Sequence, residues 1–293
     1  MRVLILGGAG MLGHKLWQGL RDRFDVFVTV RRLSPYYSRF GLFDPQRLMG
    51  KIDVRRSEDL LAAFAWSQPD VVINAIGIIK QRKESADPLL SLEINSLFPH
   101  RLALACRARG ARLIHISTDC VFSGKDGVYI EDSVSDATDL YGRTKYLGEV
   151  SGEGVLTLRT SLIGREMETR FSLLEWFLSQ KNKRCRGFSR AIFSGLTTLV
   201  FANILADVIQ KHPGLNGLYH VSGHPISKYD LLRLINEIYD LRVVIEKDPE
   251  FVCDRSLDST RFQQAIGWRP AEWQSMVLQM RADSTLYDAW ARE

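Results

Sequence analysis

The sequence predicts an α/β protein, a doubly wound parallel β-sheet joined to a smaller α+β second domain. Three observations carry this. Short runs that are apolar on both faces recur in the first half of the chain, stretches of helical spacing separate them, and a glycine cluster follows the first run. Strands buried on both faces read as continuous apolar runs. Their alternation with helices is the mark of a parallel sheet covered on both sides.

In order, Val3-Leu4-Ile5-Leu6 is the first strand, ended by Gly7-Gly8. Residues 11–23 read as a helix. Val26-Phe27-Val28-Thr29-Val30 is the second strand, and a third is expected just before Asp53. Val71-Val72-Ile73 runs into Asn74, and residues 94–109 read as a helix stopped at Gly110. Leu113-Ile114-His115-Ile116 runs into Ser117-Thr118-Asp119, and Leu156-Thr157-Leu158 closes the series. The second half is less regular: helices are expected over 171–180, 199–211 and 229–239, with Lys181-Asn182-Lys183-Arg184 as a solvated loop. The 293 residues suffice for about two units at roughly 150 residues each. We expect a first domain over 1–165 to which 192–222 return, and a second lobe from 166–191 and 223–293, the two enclosing a cleft.

Apolar residues make up 45% and charged residues 25%, the mix of a globular protein rather than a disordered or collagen-like chain. No run reaches the roughly 18 apolar residues that cross a bilayer, and the N-terminal run is too short for a signal segment, so no membrane partner is expected. The net charge of +5, with a pI near 9.0, suits anionic ligands. The basic residues are dispersed, which argues against nucleic acid. Cys106, Cys120, Cys185 and Cys253 form no CxxC pair, and His14, His100, His115 and His220 are scattered, so neither a metal site nor a disulfide framework is expected. A cytoplasmic setting follows. Trp176 and Trp273 sit in apolar patterns and read as packing.

Gly7, Gly10 and Gly13 form GxxGxxG between the first strand and the first helix. Glycine permits the tight turn and close backbone approach that place a diphosphate against the helix N-terminus, so Gly7, Gly10, Met11, Leu12 and Gly13 are expected to hold a dinucleotide. An acid at the end of the second strand selects NAD(H); here stand Arg31 and Arg32, whose guanidinium groups suit a 2′-phosphate. NADP(H) is therefore the expected cofactor, with NAD(H) the alternative. Asp53 and Val54 are expected to flank the adenine.

Tyr141 and Lys145 stand at i and i+4, on one face of a helix. An ammonium beside a phenol lowers its pKa and lets it exchange protons near neutrality. Thr118, at a strand end, could hold a carbonyl oxygen beside Tyr141. Cys120 lacks a neighbouring base and is not expected to be a nucleophile.

The chain resembles an extended short-chain dehydrogenase/reductase, and most closely the dTDP-4-dehydrorhamnose reductases. The matching stretches are the glycine turn, Val72-Ile73-Asn74-Ala75, Ile94-Asn95, Ser117-Thr118-Asp119-Cys120-Val121-Phe122, residues 129–132 and Tyr141-Gly142-Arg143-Thr144-Lys145. Later come Leu158-Arg159-Thr160-Ser161, Gly195-Leu196-Thr197-Thr198, residues 217–223 and Ser256-Leu257-Asp258. The resemblance implies a Rossmann domain with a substrate lobe, reduction of a 4-keto nucleotide sugar, and Thr118, Tyr141 and Lys145 as the catalytic set. It implies that Asn95 supports that set and that Asn74, Ala75, Ile76 and the stretch 159–161 line the cofactor and sugar. Ile78, Thr118, Asp119, Cys120 and Arg165 are expected toward the substrate, and Arg255 toward its diphosphate. The expected partner is a nucleotide-diphosphate sugar, and the family is compatible with a homodimer.

Three stretches depart from the pattern. Cys120 stands where the reductases usually carry tyrosine, residues 76–81 are less polar than expected, and Arg170-Phe171 replaces Asn-Phe. Lys80, within the second stretch, reads as a solvated loop lysine. These leave reduction standing and loosen the choice of sugar. Two alternatives accompany it: an epimerase or dehydratase of the same family, and a regulatory subunit that binds NADP without turnover.

Overall fold

The computed structural model describes residues 1–80 and 83–290; Gln81, last of the departing stretch, and the end of the second lobe at 291–293 lie outside the described residues. The chain begins with β1 (Arg2–Leu6), α1 (Gly13–Leu20), β2 (Asp25–Thr29), α2 (Ser34–Tyr37), β3 (Leu48–Met49), α3 (Ser57–Ser67) and β4 (Val71–Asn74). α4 (Pro88–Ser91), a π-helical turn Leu92–Leu97 and α5 (Phe98–Arg107) lead to β5 (Arg112–Thr118), α6 (Leu140–Leu147) and β6 (Val155–Thr160).

β7 (Leu162–Ile163), α7 (Leu173–Leu178), β8 (Arg184–Phe193), β9 (Leu196–Thr197), α8 (Thr198–Lys211) and β10 (Gly217–His220) follow. The last elements are β11 (Ile226–Ser227), α9 (Lys228–Tyr239), β12 (Val244–Asp254), α10 (Thr260–Ile266) and α11 (Trp273–Arg281).

Seven strands form one parallel sheet in the order β10-β6-β5-β4-β1-β2-β3. After β3 the chain crosses back and β4 pairs with the other side of β1. This reversal opens a crevice at the strands' C-terminal ends, where ligands of such sheets bind. Along β1, Val3 and Ile5 join the core under α1 and α8, while Leu4 and Leu6 join the core under α3 and α5. Burial on both faces is why the strand reads as an unbroken apolar run. β10 belongs to this sheet although it lies far along the chain, and α8 packs against α1.

The expected helix over 11–23 is shorter, Gly13–Leu20, because its first residues remain in the glycine turn. The expected helix over 94–109 is broken in two, with a π turn holding Asn95 before the α-helical part. The reading of the second half missed a three-stranded sheet, β11-β8-β12. Arg184, expected in a loop, opens β8. β8 pairs in parallel with β12, with a register break between Asp248 and Val252 around Pro249. No apolar run spans either strand: β12 is largely exposed, and β8 mixes exposed, half-buried and buried positions.

Candidate active site

The glycine turn bends at Gly7, whose φ of +89° is the left-handed region that favours glycine. A Cβ at Gly7 would sit 2.8 Å from Ile76 Cγ1, and one at Gly13 would run into the Gly7 carbonyl. The turn is thus pressed between its own backbone and the loop leaving β4. It is a cradle in which a diphosphate can meet backbone N–H groups and the start of α1.

At the far end of β2, Arg31 and Arg32 are exposed. Arg32 stacks on Tyr36, 4.3 Å from its ring centroid, and lies 3.8 Å from Glu168. Arg31 is the more open of the pair. The Asp53 carboxylate accepts from Arg55 at 2.9 Å, and Arg55 holds it below the usual carboxylate range, with Arg31 adding to the effect. Val54 is buried in the core under α3 rather than laid open.

Below the crevice, Asn74 is wholly buried; its Oδ1 accepts from Ile76 N at 3.1 Å and its Nδ2 faces His115 Nδ1 at 3.0 Å. Ala75 N donates to Leu6 O at 3.1 Å, tying the loop back to β1. Asn95 reaches across from the π turn. Its Oδ1 accepts from Ile78 N at 2.9 Å, and its Nδ2 donates to Ile78 O at 3.1 Å and Thr144 Oγ1 at 3.3 Å. The widened turn lets one amide hold both the loop after β4 and α6; such π turns are frequent at functional sites.

Asp139 caps α6, accepting from Gly142 N at 2.9 Å. Gly142 packs so closely on the Cys120 carbonyl that a Cβ there would collide with it. This contact brings Tyr141 beside the end of β5. Thr118 Oγ1 donates to Asp119 Oδ1 at 3.0 Å and accepts from Cys120 N at 3.1 Å. It also bears on the Tyr141 phenol, favouring its charged form. Lys145, one turn on and buried, donates from Nζ to Ile116 O at 2.8 Å.

One expectation is corrected here. The Tyr141 phenol stands above its ordinary value, not below it: burial raises it, Cys120 adds to this, and Thr118 opposes it. Lys145 spends its proton on the Ile116 carbonyl, and burial lowers it from 10.5 to about 8. The site therefore keeps a neutral phenol at its centre. That is the form that can give a proton away.

Lys80 is an exposed loop lysine, as expected, and it donates to Asp139 Oδ2 at 2.8 Å and lies 5.7 Å from the Tyr141 ring centroid. Arg255 donates from Nε to Phe122 O at 2.7 Å and bears on Asp119, Cys120 and Asp139. The two cations border the mouth of the site beside Tyr141 and Cys120. Burial first, then Asp119, pushes the Cys120 thiol up to about 12, which leaves it a weak nucleophile. Ile78 is buried and presents its backbone to Asn95.

Two expected site residues have other work. Arg165 donates to Glu175 at 2.7 Å and Asp288 at 2.6 Å, which ties it to α7 and to the segment after α11. Arg159 is buried in an ion pair with Glu149 at 2.7 Å, beneath the sheet end, while its neighbour Ser161 reaches Asp119. Trp273 donates to His224 O at 2.7 Å as a packing residue. Among the described residues no group of three or more His, Cys, Asp or Glu gathers as metal ligands, and no helix is long and apolar enough to cross a membrane.

A glycine turn at the switch point of a parallel sheet, with Thr118 at the end of β5 and Tyr141 and Lys145 on α6, is the layout of an extended short-chain dehydrogenase/reductase. Within that class the chain belongs to the family described as RmlD substrate binding domain, whose model matches residues 1–285. It is 25% identical to a dTDP-4-dehydrorhamnose reductase of Aggregatibacter actinomycetemcomitans, over 96% of this chain and 98% of that protein. It is likewise 25% identical to the methionine adenosyltransferase 2 subunit beta of Xenopus laevis, over 82% and 72% respectively. Its fold matches that of a dTDP-4-dehydrorhamnose reductase from Bacillus anthracis solved with NADP, with a TM-score of 0.79 at 19% identity over 96% and 98% of the two chains.

Proposed function

We propose that the protein is an NADPH-dependent reductase of a 4-keto sugar carried on a nucleoside diphosphate. The observation that carries this reading is the packing of Gly142 on the Cys120 carbonyl, which sets Tyr141 of α6 beside Thr118 at the end of β5, on the sheet whose crevice holds the glycine turn. The residues fit a dinucleotide phosphate. The turn between Gly7 and Gly13 leaves room for a diphosphate and for no side chain, and the end of β2 offers Arg31 and no acid. When bound, the nicotinamide supplies the hydride.

The chain's own residues supply the rest. As negative charge develops on the sugar oxygen, Tyr141 gives it a proton, and its burial keeps that proton in place at neutral pH. Thr118, fixed by Asp119 and Cys120 N, stands beside the phenol and bears on it. Lys145 places a cation beneath the site, against which negative charge on the phenolate is stabilised. Lys80 and Arg255 set positive charge at the mouth, where a diphosphate can settle. Cys120 leaves more space toward the sugar than tyrosine would. In this reading the protein works in the cytoplasm, and a homodimer is a compatible assembly.

The test is purified protein with NADPH and a panel of 4-keto nucleotide sugars. Consumption of the reduced cofactor with formation of the sugar alcohol supports the reductase. Sugar isomerisation with no net cofactor change would instead indicate an epimerase. The similarity to a methionine adenosyltransferase subunit favours one other reading, a cofactor-binding regulatory subunit. That reading predicts NADPH binding, no turnover of any sugar and a stable protein partner.

A further inference from the structure

His14 and Lys15 follow the glycine turn directly and are both buried, at 0% and 3% exposure, on a helix face that ordinarily carries apolar side chains. Their partners come from the far end of the chain. His14 Nε2 lies 2.7 Å from the Tyr287 hydroxyl, and Nδ1 lies 2.8 Å from the Gly10 carbonyl oxygen. A carbonyl can only accept, so Nδ1 carries the ring proton, Nε2 is the bare acceptor and Tyr287 is the donor. Lys15 pairs with Asp283 and donates to Thr285 Oγ1 at 3.2 Å, while the Thr285 hydroxyl donates to Asp283 Oδ1 at 2.7 Å. The same segment is also held by Arg165. Arg165 bonds Asp288 and lies over the Tyr287 ring, 4.8 Å from its centroid.

We propose that residues 283–290 are a strap that presets the dinucleotide turn, with Tyr287 and His14 as positioning residues for the cofactor. In a trans peptide the C=O and the following N–H point in opposite directions. Pinning the Gly10 carbonyl to His14 therefore aims the Met11 N–H outward from the start of α1, toward an anion. Tyr287 holds His14 in the only tautomer that does this. Because Arg165 bonds both Asp288 of the strap and Glu175 of α7, α7 is tied to the same turn. The inference rests on the dinucleotide reading above.

The test is a binding measurement, NADPH fluorescence titration of the full chain, with thermal stability followed in parallel. Tyr287→Phe, which removes only the hydroxyl, should raise the NADPH dissociation constant about five-fold, the size of one net hydrogen bond. In a His14→Leu background the same change should add nothing, since the bond is already gone. Thr285→Val, which loosens the strap without touching His14, should also weaken NADPH and serves if His14→Leu does not fold. An unchanged dissociation constant in Tyr287→Phe, whatever happens to the melting temperature, overturns the strap alone. Wild-type protein that binds neither NADPH nor NADH overturns the dinucleotide reading and the strap with it.

Discussion

Asn95 grips Ile78 by both of its backbone groups, accepting from the N–H at 2.9 Å and donating to the C=O at 3.1 Å. It stands in a π turn and also touches Thr144 on α6, so one amide sets the distance between the loop after β4 and the helix bearing Tyr141. Asn95→Leu would strand two buried backbone groups, each costing about 1–3 kcal/mol. We expect a lower melting temperature and a fall in kcat larger than the change in NADPH affinity. Denaturation curves and steady-state kinetics on one preparation check this.

The two arginines after β2 should separate. Arg31 is open, whereas Arg32 is stacked on Tyr36 and close to Glu168. Arg31→Ala should weaken NADPH about ten-fold, the loss of one or two charge-assisted hydrogen bonds, and leave NADH nearly unchanged. Arg32→Ala should weaken NADPH less and cost stability as well. Titration of both cofactors against both variants checks the order.

Stability should respond to pH through Lys145. Burial lowers it from 10.5 in the unfolded chain to about 8, so between these values the unfolded state binds more protons. Its penalty is therefore in full force below about pH 8 and is relieved as pH rises toward 10.5. Lys145→Met should melt higher than wild type at pH 7 and lose the upward drift above pH 8, while turnover collapses. Melting curves across that range read the sign directly. On the acid side, burial lowers His14 from 6.5 to about 4, so its contribution is lost as pH falls between those values.

Cys120 should be dispensable as a nucleophile. With its thiol pushed up to about 12, alkylation at pH 7 should be far slower than for a free cysteine. Cys120→Ser should keep turnover within a few-fold of wild type, and Cys120→Tyr should raise KM for the sugar while leaving NADPH affinity alone. Thiol labelling and kinetics on the two variants decide it.

How much of this was readable from sequence follows from where each residue finds its partners. The strands of the main sheet were legible because both faces are buried, and the glycine turn and the Tyr141–Lys145 pair because their spacing is local. β8 and β12 were not, since β12 is largely exposed and β8 mixes exposed, half-buried and buried positions with no apolar run along its length. Arg165 looked like a substrate contact, yet its partners Glu175 and Asp288 are set by tertiary packing. His14 looked like a stray histidine because Tyr287 lies 273 positions away. The depressed phenol inferred from a nearby lysine gave way to burial, which outweighs every other influence on Tyr141. Asp139 was a missed signal that local chemistry offered, a helix-capping acid just before Tyr141.

The most direct measurement is NADPH consumption by Tyr141→Phe, with a 4-keto nucleotide sugar that the wild-type protein reduces and with NADPH binding followed separately. If the buried phenol is the proton donor, turnover falls by about 10²–10⁴ while the NADPH dissociation constant stays near that of wild type. Undiminished turnover in that variant would contradict the assignment of the proton to Tyr141.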